Sequence, residues 1–301
     1  SENTNFIKLC LDSDLSSEIT LQPIKRFNLD AAIIFSDILM VPYALGQKVK
    51  FIKNEGPILS EFNLQILNKI KIKDFTQKLN PVYKAIKKTR NNLNKDKSLI
   101  SFVGAPWTLI IYMLNLKKKK NVLDFKIVKN KEKDIKILLD KLHNFLISHI
   151  ENQIEAGADV LQIFDSWAGL IPENMLSEYC YIPNMRIVEF CKKKGIPTIC
   201  FPKGLKKNYS KFLNVVKPNG LNIDYEIDPI WARKNLGNVC IQGGMDPKIM
   251  LLDKDLIIKE AKKYLKAFEN FPYIFNLGHG LLPETDPKKV EMLVNFIKSY
   301  K

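Results

Sequence analysis

Several polar side chains that can take part in catalysis follow short apolar segments of the chain. Asp37 is the first of them, in the stretch IIFSDILMVPYALG, where one carboxylate separates two apolar runs. An ionised carboxylate without a partner is costly in apolar surroundings, so this position calls for a partner or a task. Later apolar segments are followed by these polar residues: Tyr112, Asp165, Ser166, Lys203, Asp224, Gln242, Asp246, Asn276, His279 and Glu284. Their carboxylate, imidazole and hydroxyl groups are those that general acid–base catalysis uses.

Ordinary structural roles compete with catalysis at most of these positions. A single Asp after a strand is commonly a helix N-cap, and Asp246 before Pro247 has the pattern of a cap followed by proline at the first helical position. Trp107 and Trp167 are expected to pack at the rim of the fold. Lys203, between a proline and a glycine, is compatible with a simple turn.

His279 differs from the other two histidines because it has glycine on both sides, which lets the backbone come close to a ligand. His149 lies on the apolar stripe of an amphipathic segment and His143 lies off it, and we expect both to be structural. His279 has no His or Cys within several residues, so a zinc site is not indicated. Ser166 lies in DSWAG, which is not the G-x-S-x-G pattern of a hydrolase nucleophile.

The charge of the chain is strongly positive and comes almost entirely from lysine. The 301 residues carry a formal net charge of +15, with only four arginines. The densest run, KKKK at residues 117–120, has no interleaved aromatic residues. This favours a solvated loop or helix end over a nucleic-acid patch. A general positive field would still attract an acidic small molecule.

Cysteine usage and hydropathy indicate a protein of a reducing, cytoplasmic compartment. The five cysteines are not closely spaced, so neither a disulfide framework nor a C-x-x-C metal pair is predicted. No apolar run approaches the roughly 20 residues of a membrane span. No charged-then-apolar leader opens the chain, so secretion is not expected.

Short apolar segments alternate with amphipathic ones along the chain. Helical spacing of apolar residues is clearest over residues 132–156, 253–268 and 286–300. The predicted strands are residues 30–35, 99–104, 160–164, 197–201, 221–225, 239–243 and 273–277. Such alternation is typical of a parallel α/β fold. Seven strands and an eighth that escapes detection fit a (β/α)8 TIM-type barrel; a doubly wound sheet is the rival, but no G-x-G-x-x-G follows any of the strands.

Five blocks of the sequence resemble the uroporphyrinogen decarboxylase family. They are FNLDAAIIFSDILMVPYALG, SFVGAPWTLIIYM, ADVLQIFDSWAGLI, IQGGMDP and FNLGHGLLPETDP, in order and with fitting spacing. The resemblance runs from about Phe6 to the C-terminus. It implies one distorted barrel domain over residues 1–301 and a homodimer whose two clefts face each other.

The resemblance also implies a carboxy-lyase of haem biosynthesis that needs no metal or organic cofactor. The expected reaction removes the four acetate carboxyls of uroporphyrinogen III and gives coproporphyrinogen III. Protonation of a pyrrole carbon makes the substrate's own ring the electron sink. Matched to the family's motifs, the expected site has a catalytic carboxylate, three groups that contact substrate and three apolar walls: Asp37; Tyr112, Ser166 and His279; Phe102, Phe164 and Ile33.

One departure from the family pattern concerns the N-terminus. An arginine-rich segment of the form RQAGRY, which grips substrate carboxylates, is absent before Phe6. Two explanations stay open: a mobile upstream segment ordered by substrate, which the absence of an initiator Met favours, or a catalytically incomplete relative that binds tetrapyrroles. A corrinoid-dependent methyltransferase of the same fold is a further alternative, but GHGLL lacks the Cys of an H-x-C zinc motif. A basic nucleic-acid-binding protein on an inactive barrel ranks last.

Overall fold

The computed structural model describes residues 6–52, 56–118 and 122–300. Its centre is a sheet of seven parallel strands, hydrogen-bonded in the order β1-β4-β7-β8-β9-β10-β11. These strands are β1 (Ala31–Ile33), β4 (Ser98–Gly104), β7 (Val160–Asp165), β8 (Thr198–Pro202), β9 (Gly220–Asn222), β10 (Cys240–Gln242) and β11 (Tyr273–Ile274).

All seven predicted strands are present, and their order in the sheet follows their order in the chain. A doubly wound sheet reverses its strand order at a switch point, so the rival prediction is wrong and the barrel-type α/β architecture is confirmed. The expected eighth strand is not found in the described part of the chain, where β11 and β1 form the two edges of the curled sheet. At this gap Lys298, from the last helix, forms an ion pair with Asp30 at 3.5 Å.

Helices connect the strands and cover one face of the sheet. The three predicted amphipathic segments are the helices α7 (Glu132–Glu155), α11 (Lys254–Ala267) and α12 (Pro287–Ser299). The α-helices are α1 (Phe6–Cys10), α2 (Ser13–Phe27), α3 (Met40–Ala44), α4 (Ile72–Asn92), α5 (Pro106–Met113), α6 (Phe125–Asn130), α7 (Glu132–Glu155), α8 (Ile182–Lys193), α9 (Tyr209–Val216), α10 (Pro229–Asn235), α11 (Lys254–Ala267) and α12 (Pro287–Ser299). None of the helices in the described ranges is long and apolar enough to cross a membrane.

Two antiparallel hairpins lie outside the main sheet. The first joins β2 (Val49–Ile52) to β3 (Gly56–Leu59), and the second joins β5 (Lys117–Lys118) to β6 (Val122–Leu123). The second hairpin takes up the first half of the KKKK run, whereas Lys119 and Lys120 lie outside the described residues. The predicted solvated loop or helix end is therefore a strand at Lys117 and Lys118.

Side-chain alternation divides the sheet into two faces. Ala32, Ile34 and Leu99 belong to a buried cluster that includes Leu21 and Ile86 of the flanking helices α2 and α4. Residues of opposite parity therefore point to the inner face of the sheet, away from these helices. Because the strands are parallel, their carboxyl ends meet at one edge, and the loops that follow them lie together there.

Candidate active site

The inner face carries the three residues that were predicted as apolar walls. Phe102 and Phe164 are on neighbouring strands with ring centroids 5.5 Å apart, and Phe201 extends the row at 6.4 Å from Phe164. Ile33 pairs in register with Ile100 and so shares this face. With 42% of its surface exposed, Ile33 borders an open cleft rather than a packed core. Phe201 was not in the predicted set.

A buried amide cluster lies beyond these walls on the same face. Nε2 of Gln242 donates to Oδ1 of Asn222 at 2.6 Å and to Oε1 of Gln162 at 3.3 Å. The three side chains come from β7, β9 and β10, and each is buried. Because these amides satisfy one another, they link three strands. Gln242, one of the predicted strand-end residues, therefore has a structural role.

Asp37 lies in the tight turn between β1 and α3. Its Oδ1 accepts a hydrogen bond from the backbone N–H of Leu39 at 2.7 Å, and its carbonyl accepts from the N–H of Met40 at 3.2 Å. The Thr20 hydroxyl anchors the turn by accepting from the N–H of Phe35 at 2.8 Å. Asp37 Oδ2 accepts no hydrogen bond from the residues that the structure describes. One carboxylate oxygen holds the turn, and the other is available to a ligand.

The surroundings of Asp37 favour its neutral form. Burial raises the pKa of this carboxyl to about 6, although the Leu39 N–H opposes the shift. The adjacent Cys10 thiol is buried, and burial together with the Asp37 charge raises the pKa of that thiol to about 12. A carboxylate that titrates near neutrality in a cleft is typical of functional sites.

Tyr112 connects Asp37 to the loop after β7. It projects from α5, and its pKa is raised chiefly by burial and further by the charge of Asp37. Its ring meets that of Trp167 edge to face, with centroids 6.1 Å apart. The Trp167 indole N–H lies beside the Tyr112 hydroxyl without full hydrogen-bond geometry, and lowers the pKa somewhat. Asp37, Tyr112 and the segment that carries Ser166 are thus brought to one region.

Ser166 is positioned by the residue before it. Asp165 points to the helix side of the sheet, where Oδ1 accepts from the Thr108 hydroxyl at 2.7 Å and Oδ2 from Nδ2 of Asn184 at 3.1 Å. Burial raises the pKa of Asp165 to about 6, which these hydrogen bonds partly offset. The Thr108 hydroxyl also accepts from the N–H of Trp167 at 3.3 Å. Asp165 is therefore a structural carboxylate that holds the Ser166–Trp167 loop.

His279 lies across the strand edge, after β11. The residue is exposed, yet its pKa is lowered by partial burial of the ring and by the nearby charge of Lys203. A neutral imidazole is therefore the main form at pH 7. Lys203 has a second neighbour in Tyr225, with Nζ 5.9 Å from the ring centroid. In the described ranges no hydrogen bond or ion pair joins His279 to Asp37.

Gly278, the glycine before His279, is needed for packing between loops and not, as expected, for the approach of a ligand. A Cβ on Gly278 would lie 2.5 Å from the backbone N of Tyr225 and 2.9 Å from the carbonyl oxygen of Gly244. The loops after β9, β10 and β11 pack backbone to backbone here. A Cβ on Gly280 would meet nothing within 4 Å. Gly278 therefore serves packing between loops, and only Gly280 leaves space open beside His279.

The remaining strand-end residues have structural roles or lie at the surface. Asp246 caps the helical turn that begins at Pro247, as predicted. Asp224 is buried and accepts from the Tyr209 hydroxyl at 2.8 Å and from the N–H of Gly204 at 2.7 Å. Asn276 accepts from the N–H of Leu277, and Glu284 is exposed.

Two further sequence expectations concern packing. Trp107 is buried and stacks on Tyr179 with centroids 5.0 Å apart, in agreement with its predicted packing role. His149 is buried and its Nδ1 lies 3.0 Å from the Tyr83 hydroxyl; burial lowers its pKa to about 3. It is a core histidine. Across the residues that the structure describes, no three His, Cys, Asp or Glu side chains are grouped so as to hold a metal ion.

Besides Phe201, sequence reasoning missed one further residue at this site. Lys117 reaches over the Trp167 ring, with Nζ 3.7 Å from its centroid and 5.0 Å from that of Tyr112. Burial lowers the pKa of Lys117. The contact joins positions 50 residues apart, and nothing in the KKKK run distinguishes its first lysine.

Comparison with known proteins places the chain among decarboxylases. The family model described as uroporphyrinogen decarboxylase (URO-D) matches residues 1–300. The uroporphyrinogen decarboxylase of Rickettsia bellii (strain RML369-C) is 43% identical over 309 residues, which cover 99% of this chain and 89% of that protein. That of Orientia tsutsugamushi (strain Ikeda) is 43% identical over 303 residues, with 98% and 87% covered.

Solved structures with the same fold carry other names. A methyltransferase from Methanosarcina mazei superposes with a TM-score of 0.77 at 17% identity, over 98% of this chain and 87% of its own. A B12-independent methionine synthase from Shewanella sp. W3-18-1 gives a TM-score of 0.61 at 10% identity, over 95% and 85%. At such identities the likeness concerns the fold alone. The match of the family model over residues 1–300 and the relatives at 43% identity show that the chain belongs to the uroporphyrinogen decarboxylase family.

Proposed function

We propose that this protein removes the four acetate carboxyls of uroporphyrinogen III as CO2 and so forms coproporphyrinogen III. The observation that carries the proposal is Asp37: a half-buried carboxylate at the carboxyl edge of the strands, with one oxygen fixed by Leu39 and the other open to the cleft. Membership of the family supports the reaction, and the geometry supports the part that we propose for this carboxylate.

Decarboxylation of an acetate side chain needs an acceptor for an electron pair. Protonation of the pyrrole carbon next to the one that bears the acetate makes the ring cationic. The bond between the methylene carbon and the carboxylate then breaks, CO2 leaves, and the electron pair moves into the ring. A proton added to the methylene carbon completes the methyl group, and loss of the proton first added to the ring carbon restores the pyrrole.

Asp37 is proposed to stabilise the cationic ring. Its open oxygen would accept hydrogen bonds from the pyrrole N–H groups, and its negative charge would oppose the charge that develops on the ring. The apolar walls Ile33, Phe102 and Phe164 lower the local dielectric and so strengthen this interaction. The carboxylate is held by its turn before substrate arrives, so little reorganisation accompanies the reaction.

Tyr112, Ser166 and His279 are proposed to hold the substrate's carboxylates. The raised pKa of Tyr112 and the lowered pKa of His279 keep both groups neutral near pH 7. Each then acts as a hydrogen-bond donor that adds no charge close to Asp37. Ser166 would donate its hydroxyl from the loop that Asp165 and Thr108 hold in place.

The chain is further proposed to form one barrel domain that works as a cytoplasmic homodimer. The continuous strand order of the sheet supports a single domain, and the family resemblance supports the dimer and the compartment. Light scattering after gel filtration tests the dimer: a mass twice that of the chain is expected, and a monomeric mass in the active protein would reject it.

The reaction is tested with the full-length protein and uroporphyrinogen III under anaerobic conditions. We expect release of four CO2 per substrate and accumulation of coproporphyrinogen III, separated by chromatography after oxidation. Tetrapyrrole binding without CO2 release would instead identify a catalytically incomplete relative. Transfer of a methyl group to an added acceptor, again without CO2, would identify a methyltransferase.

A further inference from the structure

Lys203 is a cation at the carboxyl edge of the sheet to which neither the proposed reaction nor the five family blocks assign a role. It directly follows β8, in the stretch FPKG, and its side chain is half-buried. In the described ranges its ammonium group takes part in no hydrogen bond and no ion pair. Nζ lies 5.9 Å from the ring centroid of Tyr225, at the outer limit of a cation–π contact. The charge therefore has no strong partner among the residues that the structure describes.

Backbone contacts fix the point from which the Lys203 side chain starts. Its N–H donates to the carbonyl of Asp165 at 3.2 Å, and its carbonyl accepts from the N–H of Gly169 at 2.8 Å. The N–H of Gly204 donates to Oδ2 of the buried Asp224 at 2.7 Å. The loop after β8 is thus tied to the end of β7 and its loop on one side and to the loop after β9 on the other.

The buried carboxylates Asp165 and Asp224 do not neutralise Lys203. Asp165 accepts from the Thr108 hydroxyl at 2.7 Å on the helix side of the sheet, and Asp224 accepts from the Tyr209 hydroxyl at 2.8 Å. Neither forms an ion pair with Lys203. The ammonium group is therefore available to an anion that enters the cleft.

The side chain of Lys203 reaches along the edge of the sheet toward His279. Tyr225 follows β9 and His279 follows β11, with only β10 between those two strands. The charge of Lys203 lowers the pKa of the His279 imidazole, so the two groups are near each other. An ammonium group and a neutral imidazole thus lie together at this part of the edge.

The other proposed polar site residues lie further along the same edge. Asp37, Tyr112 and Ser166 come after β1, β4 and β7, whereas His279 comes after β11, beyond Lys203. None of these four residues is a cation in the proposed reaction, because Asp37 is negative and the others are neutral near pH 7. A carboxylate bound beside His279 would therefore receive its neutralising charge from Lys203.

We propose that Lys203 and His279 together bind one peripheral carboxylate of the tetrapyrrole, and so hold the rim of the macrocycle while Asp37 engages its centre. This inference rests on the proposed function, because it takes the substrate to be a macrocycle with carboxylates around its rim. The ammonium group donates a charge-assisted hydrogen bond, and the neutral imidazole donates a second one. Lys203 is thus a positioning residue for the substrate and takes no part in proton transfer.

The test compares Lys203→Met, Lys203→Arg and the wild type in steady-state decarboxylation by the full-length protein. Lys207→Met is the matched control, because it removes the same charge from an exposed position four residues further along. Assays at pH 8 keep His279 neutral in every variant. Loss of one charge-assisted hydrogen bond is expected to raise KM for uroporphyrinogen III about tenfold in Lys203→Met. The value of kcat should change much less, since the contact is made before and during the reaction alike.

Two further readouts separate substrate binding from a structural role. Lys203→Arg should keep most of the affinity, because it keeps the charge. The rise of KM with ionic strength should be shallower in Lys203→Met than in Lys207→Met, since the lost contact is electrostatic. Equal KM values in Lys203→Met and Lys207→Met would overturn the inference, as would a loss in Lys203→Arg as large as in Lys203→Met.

A double variant tests whether Lys203 and His279 share one carboxylate. Independent contacts multiply their effects on KM, whereas two contacts to the same group are coupled. The combination of Lys203→Met with His279→Leu should therefore raise KM by less than the product of the two single increases. An increase equal to that product would overturn the shared carboxylate. Failure of the wild type to release CO2 would overturn the proposed function itself, whereas CO2 release with equal KM values in the two lysine variants overturns this inference alone.

Discussion

The two carboxylate oxygens of Asp37 have different surroundings. One oxygen holds the turn before α3 through the N–H of Leu39, as a turn-forming Asp commonly does, and the other oxygen is open to the cleft. A structural role in the turn and the proposed catalytic role are therefore compatible in this residue. Its raised pKa shows the cost of placing a carboxylate there, a cost that a bound cationic ring would reduce.

The pH dependence of activity tests the titration of Asp37. Because the pKa of this group is raised to about 6, its carboxylate form is lost as pH falls through that value. The proposed role needs the carboxylate, so kcat/KM should be constant above about pH 7 and fall about tenfold per unit below about pH 6. The profile is measured from pH 4.5 to 8 with the wild type.

His279 is one competitor for this titration, because an imidazole titrates near neutrality and partial burial and the charge of Lys203 lower the pKa of this one. A His279→Gln variant separates the two groups. It should have a weaker affinity for substrate but keep the fall of kcat/KM below about pH 6. Disappearance of that fall in His279→Gln would assign the titration to the histidine and remove this support for Asp37.

At the scale of elements, the buried Asp165 joins β7, α5 and α8. The Thr108 hydroxyl donates to its ionised form, so Thr108→Val should lower the free energy of unfolding by about 1–3 kcal/mol at pH 8. At pH 5, below the folded pKa of about 6, Asp165 is mostly protonated and the loss should be smaller. Urea unfolding at the two pH values measures the difference.

Thr89→Val is the control for this experiment. Thr89 is equally buried, but its hydroxyl bonds to Ser17 and to the carbonyl of Ala85, neither of which titrates. Its effect on stability should be the same at pH 5 and pH 8. If Thr108→Val were just as insensitive to pH, the hydroxyl would not be supporting an ionised Asp165.

The two glycines around His279 make a matched pair. Gly278→Ala places a Cβ against the backbone of Tyr225 and Gly244, so the loops after β9 and β10 must move. This variant should lose several degrees of Tm and much of its activity, whereas Gly280→Ala should keep the Tm of the wild type. Equal Tm values for the two variants would show that the loops are not packed as described.

Local sequence patterns were sufficient to predict the strands and the main helices. They were not sufficient to predict contacts between residues that are far apart in the chain. Each predicted strand exists, because apolar runs bounded by turns and helices are read from neighbouring residues. The side chains of Asp165 and Ser166 point to opposite sides of the sheet because successive residues of a strand alternate between its two faces. The sequence shows which side each one takes once the register of the strands is known. Lys117 over Trp167 and Gly278 against Tyr225 depend on contacts across 50 or more residues, and no periodicity encodes them.

At the scale of the whole molecule, many elements contribute to the cleft, and the proposed mechanism depends on the charge of Asp37 alone. β1, α5, the loop after β7 and the loop after β11 each bring one of the proposed site residues to the carboxyl edge of the sheet. The aromatic row on β4, β7 and β8 supplies apolar surroundings. The resemblance to the family singled out Asp37, Tyr112, Ser166 and His279 as proposed site residues, which composition and periodicity alone left among other strand-end polar residues.

The most direct test of the account is turnover of uroporphyrinogen III by Asp37→Asn. Asparagine can still accept from the Leu39 N–H, so the turn is kept while the charge is removed. Asp246→Asn is the control, because this cap also follows a strand but lies outside the proposed site. Since the folded pKa of Asp37 is raised from 3.8 to about 6, its ionised form destabilises the fold above that range. Asp37→Asn should therefore be as stable as the wild type at pH 8, or more stable by about 1–3 kcal/mol.

We expect kcat to fall by about 10²–10³-fold in Asp37→Asn, the typical effect of removing one preorganised electrostatic group, and Asp246→Asn to keep wild-type turnover. Wild-type kcat in a folded Asp37→Asn protein would contradict the central role given to this carboxylate.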